Sequence, residues 1–97
     1  MSVVVIGGDH LGHIEKKLYE RGVNKLIHIS GRKKSDNRRL VLNKQVSAVL
    51  VLTDYINHNL MDEVKSQARC FNIPVIFAKR SWSSVEQKLL GGGLVNA

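Results

Sequence analysis

Met1-Ser2-Val3-Val4-Val5-Ile6-Gly7-Gly8-Asp9-His10-Leu11-Gly12 is the stretch that decides the fold. Val3 to Ile6 is an unbroken β-branched run, as expected of a strand buried on both faces of a parallel sheet. Gly7-Gly8 follows at once, and from about His10 the pattern turns helical, with Leu11, Ile14 and Leu18 on one face. Strand, glycine turn and helix in that order make the first half of a βαβ unit. Such a turn gathers backbone N–H groups and the positive end of a helix dipole, a place for a phosphate or carboxylate. The glycines do not complete a dinucleotide fingerprint. In G-x-G-x-x-G the outer glycines would fall on Gly7 and Gly12, but Asp9 stands at the middle one, where a carboxylate repels a pyrophosphate. No Gly-Lys-Ser/Thr follows Gly12, which excludes a P-loop. Two readings of the glycine pair stay open: an anion site, or only a tight turn.

The rest of the chain repeats the first unit. Gly22 suits the position after a helix, following Tyr19-Glu20-Arg21. Leu26-Ile27-His28-Ile29 reads as a second strand, and Ser35 or Asp36 as the cap of a short helix from about Asn37 to Lys44. Ala48-Val49-Leu50-Val51-Leu52 is a third strand. A helix then places Leu60, Val64, Ala68 and Phe71 on one face, and Pro74 opens a fourth strand, Val75 to Ala78. Ser83-Ser84-Val85-Glu86 has the form of a capping box for a last helix with Val85 and Leu89 inward, stopped by Gly91 to Gly93. Four strands alternating with four helices predict an α/β fold. It has a single four-stranded parallel sheet, order 2-1-3-4, with helices on both faces: Rossmann-like and half the usual size. Residues 1–93 form this one domain and 94–97 a short tail; a homodimer would supply the missing half.

Composition bounds the partners. With 97 residues and 43% hydrophobic, the chain suits one folded domain. No apolar run approaches the roughly 20 residues that span a bilayer, so no membrane partner is expected. No basic segment precedes an apolar stretch, so no signal peptide is expected either. The single Cys70 rules out an intrachain disulfide and fits a reducing, cytoplasmic setting. Fifteen Lys and Arg face eight Asp and Glu, a formal charge of +7, which favours an anionic partner such as nucleic acid or a nucleotide. Arg32, Lys33, Lys34, Arg38 and Arg39 concentrate that charge in one stretch. By itself such a run reads as a solvated loop.

Topology makes more of it. In a parallel sheet every strand-to-helix loop lies at the strands' carboxyl ends. Those loops carry Gly7, Gly8, Asp9 and His10; Ser30, Arg32 and Lys33; Thr53, Asp54, Tyr55 and His58; and Lys79, Arg80, Ser81 and Trp82. Arg38 and Arg39 stand just beyond the second loop. The opposite edge offers little beyond Gly22-Val23-Asn24 and Asn72. Open α/β folds bind ligands outside the carboxyl ends of their strands, so these residues are the candidate ligand-binding set.

Three segments carry a family resemblance: Val5-Ile6-Gly7-Gly8-Asp9-His10, Ala48-Val49-Leu50-Val51-Leu52-Thr53-Asp54-Tyr55-Ile56-Asn57-His58, and Ile73-Pro74-Val75-Ile76-Phe77-Ala78-Lys79-Arg80-Ser81. Together they resemble a small bacterial Rossmann-like family catalogued as a domain of unknown function, number 2325. The resemblance covers nearly the whole chain and implies the fold. It brings no activity with it.

Chemistry narrows the function classes. Asp9 with His10 and Asp54 with His58 would make a carboxylate–imidazole set for acid–base work if their loops meet. No Gly-x-Ser-x-Gly or cysteine nucleophile accompanies them, and Ser81, Ser83 and Ser84 read as caps, so no catalytic residue is assigned. His10-Leu11-Gly12-His13 has metal-like spacing but no third ligand, and His28 reads as a hydrogen-bonded residue of its strand. Three binding readings remain, with a small acid–base enzyme behind them. The first is a nucleic-acid module, with Arg and Lys on phosphates and Trp82 or Tyr55 stacked on a base. The second is a nucleotide or dinucleotide sensor, in which Ser30-Gly31-Arg32-Lys33 replaces the usual ribose-binding acid. The third is a protein-interaction adaptor. Net charge favours non-enzymatic binding of a phosphate-bearing ligand, nucleic acid ahead of a nucleotide, with no cofactor beyond such a bound nucleotide.

Overall fold

The computed structural model describes residues 1–8, 10–30, 42–53 and 58–91, with side chains through Leu89. Strands β1 (Ser2–Ile6), β2 (Lys25–Ile29), β3 (Ala48–Leu52) and β4 (Val75–Ala78) form one sheet, and α1 (His13–Glu20), α2 (His58–Phe71) and α3 (Trp82–Gly91) cover it. All pairings are parallel and the order is β2-β1-β3-β4, as the sequence predicts. Burial follows the order. β1 and β3 are the central strands, buried along nearly their whole length, and Val3↔Ala48 to Ile6↔Val51 fixes their register. β2, interrupted by His28, and β4, the shortest strand, lie at the edges, where Ile27 and Phe77 are exposed.

Alternation along the central strands divides the core. Val3, Val5, Leu50 and Leu52 face α1 and α3, meeting Ile14, Leu18, Val85 and Leu89. Val4, Ile6, Val49 and Val51 face α2, meeting Leu60, Val64 and Ala68. The β1-to-β2 crossover runs one way along the sheet and the β3-to-β4 crossover the other. Crossovers of one hand then put their helices on opposite faces. The reversal point lies between β1 and β3.

Four local expectations are corrected. The first helix begins at His13 instead of about His10; Gly12, at φ +55°, precedes it, and Leu11 is buried from the loop. Of the helix expected over 37–44, residues 37–41 lie outside the described set and 42–44 are not helical, so three helices are described. Asn43 Oδ1 instead accepts the Gln45 N–H at 2.8 Å, a side-chain turn that competes with helix. Phe71 is 36% exposed, and Ile73 is the buried residue. Phe71 is the last residue of the helix; Asn72 then adopts φ +56° and the Ile73 N–H returns to the Ala68 carbonyl at 2.8 Å, so the turn brings Ile73 into the core and leaves Phe71 outside. The last helix is capped by Ser81, two residues before the expected box: the Ser84 N–H reaches Ser81 Oγ at 3.3 Å. Val85 and Leu89 remain inward.

Candidate functional site

The reversal point lies between β1 and β3, at whose carboxyl ends open α/β sheets have their binding crevice, and the Gly7–Gly8 turn stands there. Gly7 extends the sheet by one bond, its N–H donating to the Ile29 carbonyl at 2.8 Å. It then turns at φ +110°, and a Cβ here would stand 2.5 Å from the Leu52 carbonyl oxygen of β3. Only glycine fits so close to a neighbouring backbone. Gly8 follows at φ +77° and is buried. A Cβ on Gly8 would meet Arg80 Nε at 3.3 Å and Cδ at 3.4 Å, so the Arg80 side chain lies directly against this turn.

Arg80 comes from the loop after β4, two strands away from β1. Its guanidinium passes the end of β3 and donates to the His10 carbonyl. From the other side, the His28 ring on β2 donates from Nε2 to the Gly7 carbonyl at 3.1 Å. That bond selects the tautomer with hydrogen on Nε2 or the doubly protonated ring. The glycine turn is therefore held from β2 and covered from β4. Helix α1 contributes less than its position suggests. It starts at His13, has no side-chain cap and carries Glu15 in its first turn, which already complements the helix dipole.

The remaining candidates separate into groups. His10 is exposed beside the turn, and His58 is exposed at the start of α2, so the two follow adjacent strands while their helices lie on opposite faces. Asp9, Asp54 and Tyr55 lie outside the described residues, as do Arg32, Lys33, Arg38 and Arg39. Ser30 is half-buried at the end of β2. Thr53 Oγ1 donates to the Ala78 carbonyl at 3.4 Å and ties the ends of β3 and β4 together. Lys79 is exposed, its N–H donating to Ser84 Oγ at 3.1 Å, and Ser81 is the cap already described. Trp82 is not at the rim of the crevice. Half-buried, it packs against the α1-side core, and the Arg21 guanidinium lies 5.8 Å from its ring centre while pairing with Glu86.

Among the described residues, no three His, Cys, Asp or Glu stand close enough to hold a metal, and no helix is long and apolar enough to cross a membrane. Two hollows, of about 530 Å³ and about 460 Å³, are bordered among the described residues by Glu15, Lys16 and Tyr19 of α1 and by Lys65, Arg69 and Cys70 of α2. Sequence reasoning placed Arg80 on this edge but not its reach, since nothing local relates position 80 to positions 8 and 10.

A family model described as an uncharacterized protein conserved in bacteria matches residues 2–91. No curated protein and no solved structure matches the chain.

Proposed function

The chain belongs to the bacterial family known as domain of unknown function 2325, and we propose that it binds a phosphate-bearing polyanion, nucleic acid, at the carboxyl edge of its sheet. One observation carries this reading. Arg80 crosses the end of β3 to lie on the Gly7–Gly8 turn, so a fixed cation and a side-chain-free backbone meet at the point where open α/β sheets take their ligands. Guanidinium groups grip phosphate oxygens in pairs. The formal +7 charge exceeds what a single nucleotide needs and suits a chain of phosphates. Arg32, Lys33, Arg38 and Arg39 follow the neighbouring strand in sequence and would extend the contact along such a chain.

Fluorescence anisotropy with a labelled single-stranded oligonucleotide tests this. The wild-type protein binds with affinity that falls steeply as salt rises, because phosphate contacts release counterions. Arg80→Ala weakens binding by about three- to tenfold and lowers the salt slope by about one contact. A folded Arg80→Ala protein with wild-type affinity and slope overturns the proposal.

A further inference from the structure

We propose that His28 is a positioning residue: it holds the Gly7–Gly8 peptide so that the Gly8 N–H is presented, beside Arg80, to a phosphate oxygen. The inference rests on the phosphate-binding reading above and names the backbone group that does the gripping. A peptide unit is planar, and a trans unit points its C=O and N–H in opposite directions. No peptide in the described chain is cis. The Gly7 carbonyl accepts from His28 Nε2 at 3.1 Å, so the N–H of the same unit, which belongs to Gly8, points away from His28. That N–H finds no hydrogen-bond acceptor among the described residues, although Gly8 itself is buried.

A buried N–H left without an acceptor costs about 1–3 kcal/mol, and such groups are rare unless an acceptor arrives from outside the chain. The Arg80 side chain lies against the same glycine, so the acceptor that fits is anionic. Gly7 and Gly8 both have positive φ and no side chain, and they would otherwise let this peptide rotate. The His28 bond is what selects one orientation. His28 stands at the β2 position paired with Val5, two residues before the turn, and so belongs to the rigid sheet rather than to a loop. It acts through the peptide.

Inorganic phosphate is the probe, with sodium chloride at matched ionic strength as the blank, and the amide signals are followed by ¹H–¹⁵N NMR. In the wild-type protein the Gly8 amide proton moves downfield and saturates with phosphate. His28→Leu binds phosphate about tenfold or more weakly. His28→Gln, whose side-chain amide can reproduce the Nε2 donor, stays within about threefold of wild type. A Gly8 amide unmoved by phosphate overturns the proposal, as does a folded His28→Leu protein that binds like wild type. Should His28→Leu fail to fold, the wild-type titration and the His28→Gln rescue still decide. Oligonucleotide anisotropy on the same proteins separates the two readings. If nucleic acid binds through Arg80 while the Gly8 amide stays still, only the positioning role falls. If phosphate moves Gly8 in a His28-dependent way while no oligonucleotide binds, only the nucleic-acid reading falls.

Discussion

A side chain at position 7 has nowhere to go. The added Cβ would press into the Leu52 carbonyl, and φ +110° is itself unfavourable for any L-residue. Gly7→Ala should therefore destabilise the fold by about 2–4 kcal/mol, read from urea unfolding midpoints. Gly8 differs, because its φ of +77° is milder and its tight neighbour is the flexible end of Arg80. Gly8→Ala should cost only about 1 kcal/mol in stability while weakening oligonucleotide binding, since the new methyl displaces the guanidinium. Equal stability losses at the two positions would contradict this division. The glycine pair and the hydrogen-bonded His28 were legible in the sequence because each follows from local pattern. The Arg80 contact was not: its partners lie about seventy residues away in the chain, and no periodicity encodes a meeting of loops.

At the scale of elements, apolar periodicity located every described strand and every described helix, and it failed where a single residue redirects the chain. Two helices end in the same way. Gly22 and Asn72 adopt positive φ, the next N–H groups return to the Leu18 and Ala68 carbonyls, and Val23 and Ile73 become buried. Glycine announces this turn in a sequence. Asparagine announces it weakly, so helical spacing points to Phe71 for a core position that Ile73 holds. The chemistry of Trp82 likewise suggests a stacking platform, whereas its place on the first turn of α3 turns it towards Arg21 at the end of α1. Trp82→Ala should lower stability by about 1–3 kcal/mol through lost packing. Glu86→Gln should change it by less than about 1 kcal/mol, because its ion pair with Arg21 is well exposed. Urea unfolding of both variants checks the ranking. A large loss of oligonucleotide affinity in a stable Trp82→Ala protein would restore the stacking role.

Over the whole molecule, strand order was readable because alternating strands and helices imply a parallel sheet, and a reversal after β2 gives the usual switch point of such sheets. Function was less readable, since charge names a class of partner and not a contact. Replacing Arg32, Lys33, Arg38 and Arg39 together with Ala should weaken oligonucleotide binding and flatten its salt dependence by up to about three in log–log slope. Thermal stability should stay nearly unchanged. Unaltered binding by the folded quadruple variant would reduce this stretch to a solvated loop. The bond from Arg80 to the His10 carbonyl has a consequence of its own. The last loop is already clasped to the first before any ligand arrives, so a lone phosphate that claims the guanidinium must displace a resident partner and gains only the difference. Occupancy at this point is a substitution, and a substitution is weak when made once. It becomes strong when neighbouring phosphates on one strand are tethered together, because each then faces its contact at high effective concentration. On the proposed reading the clasp would act as a length filter: a single phosphate binds weakly and saturates the site only at high concentration, whereas a long chain of phosphates is held tightly.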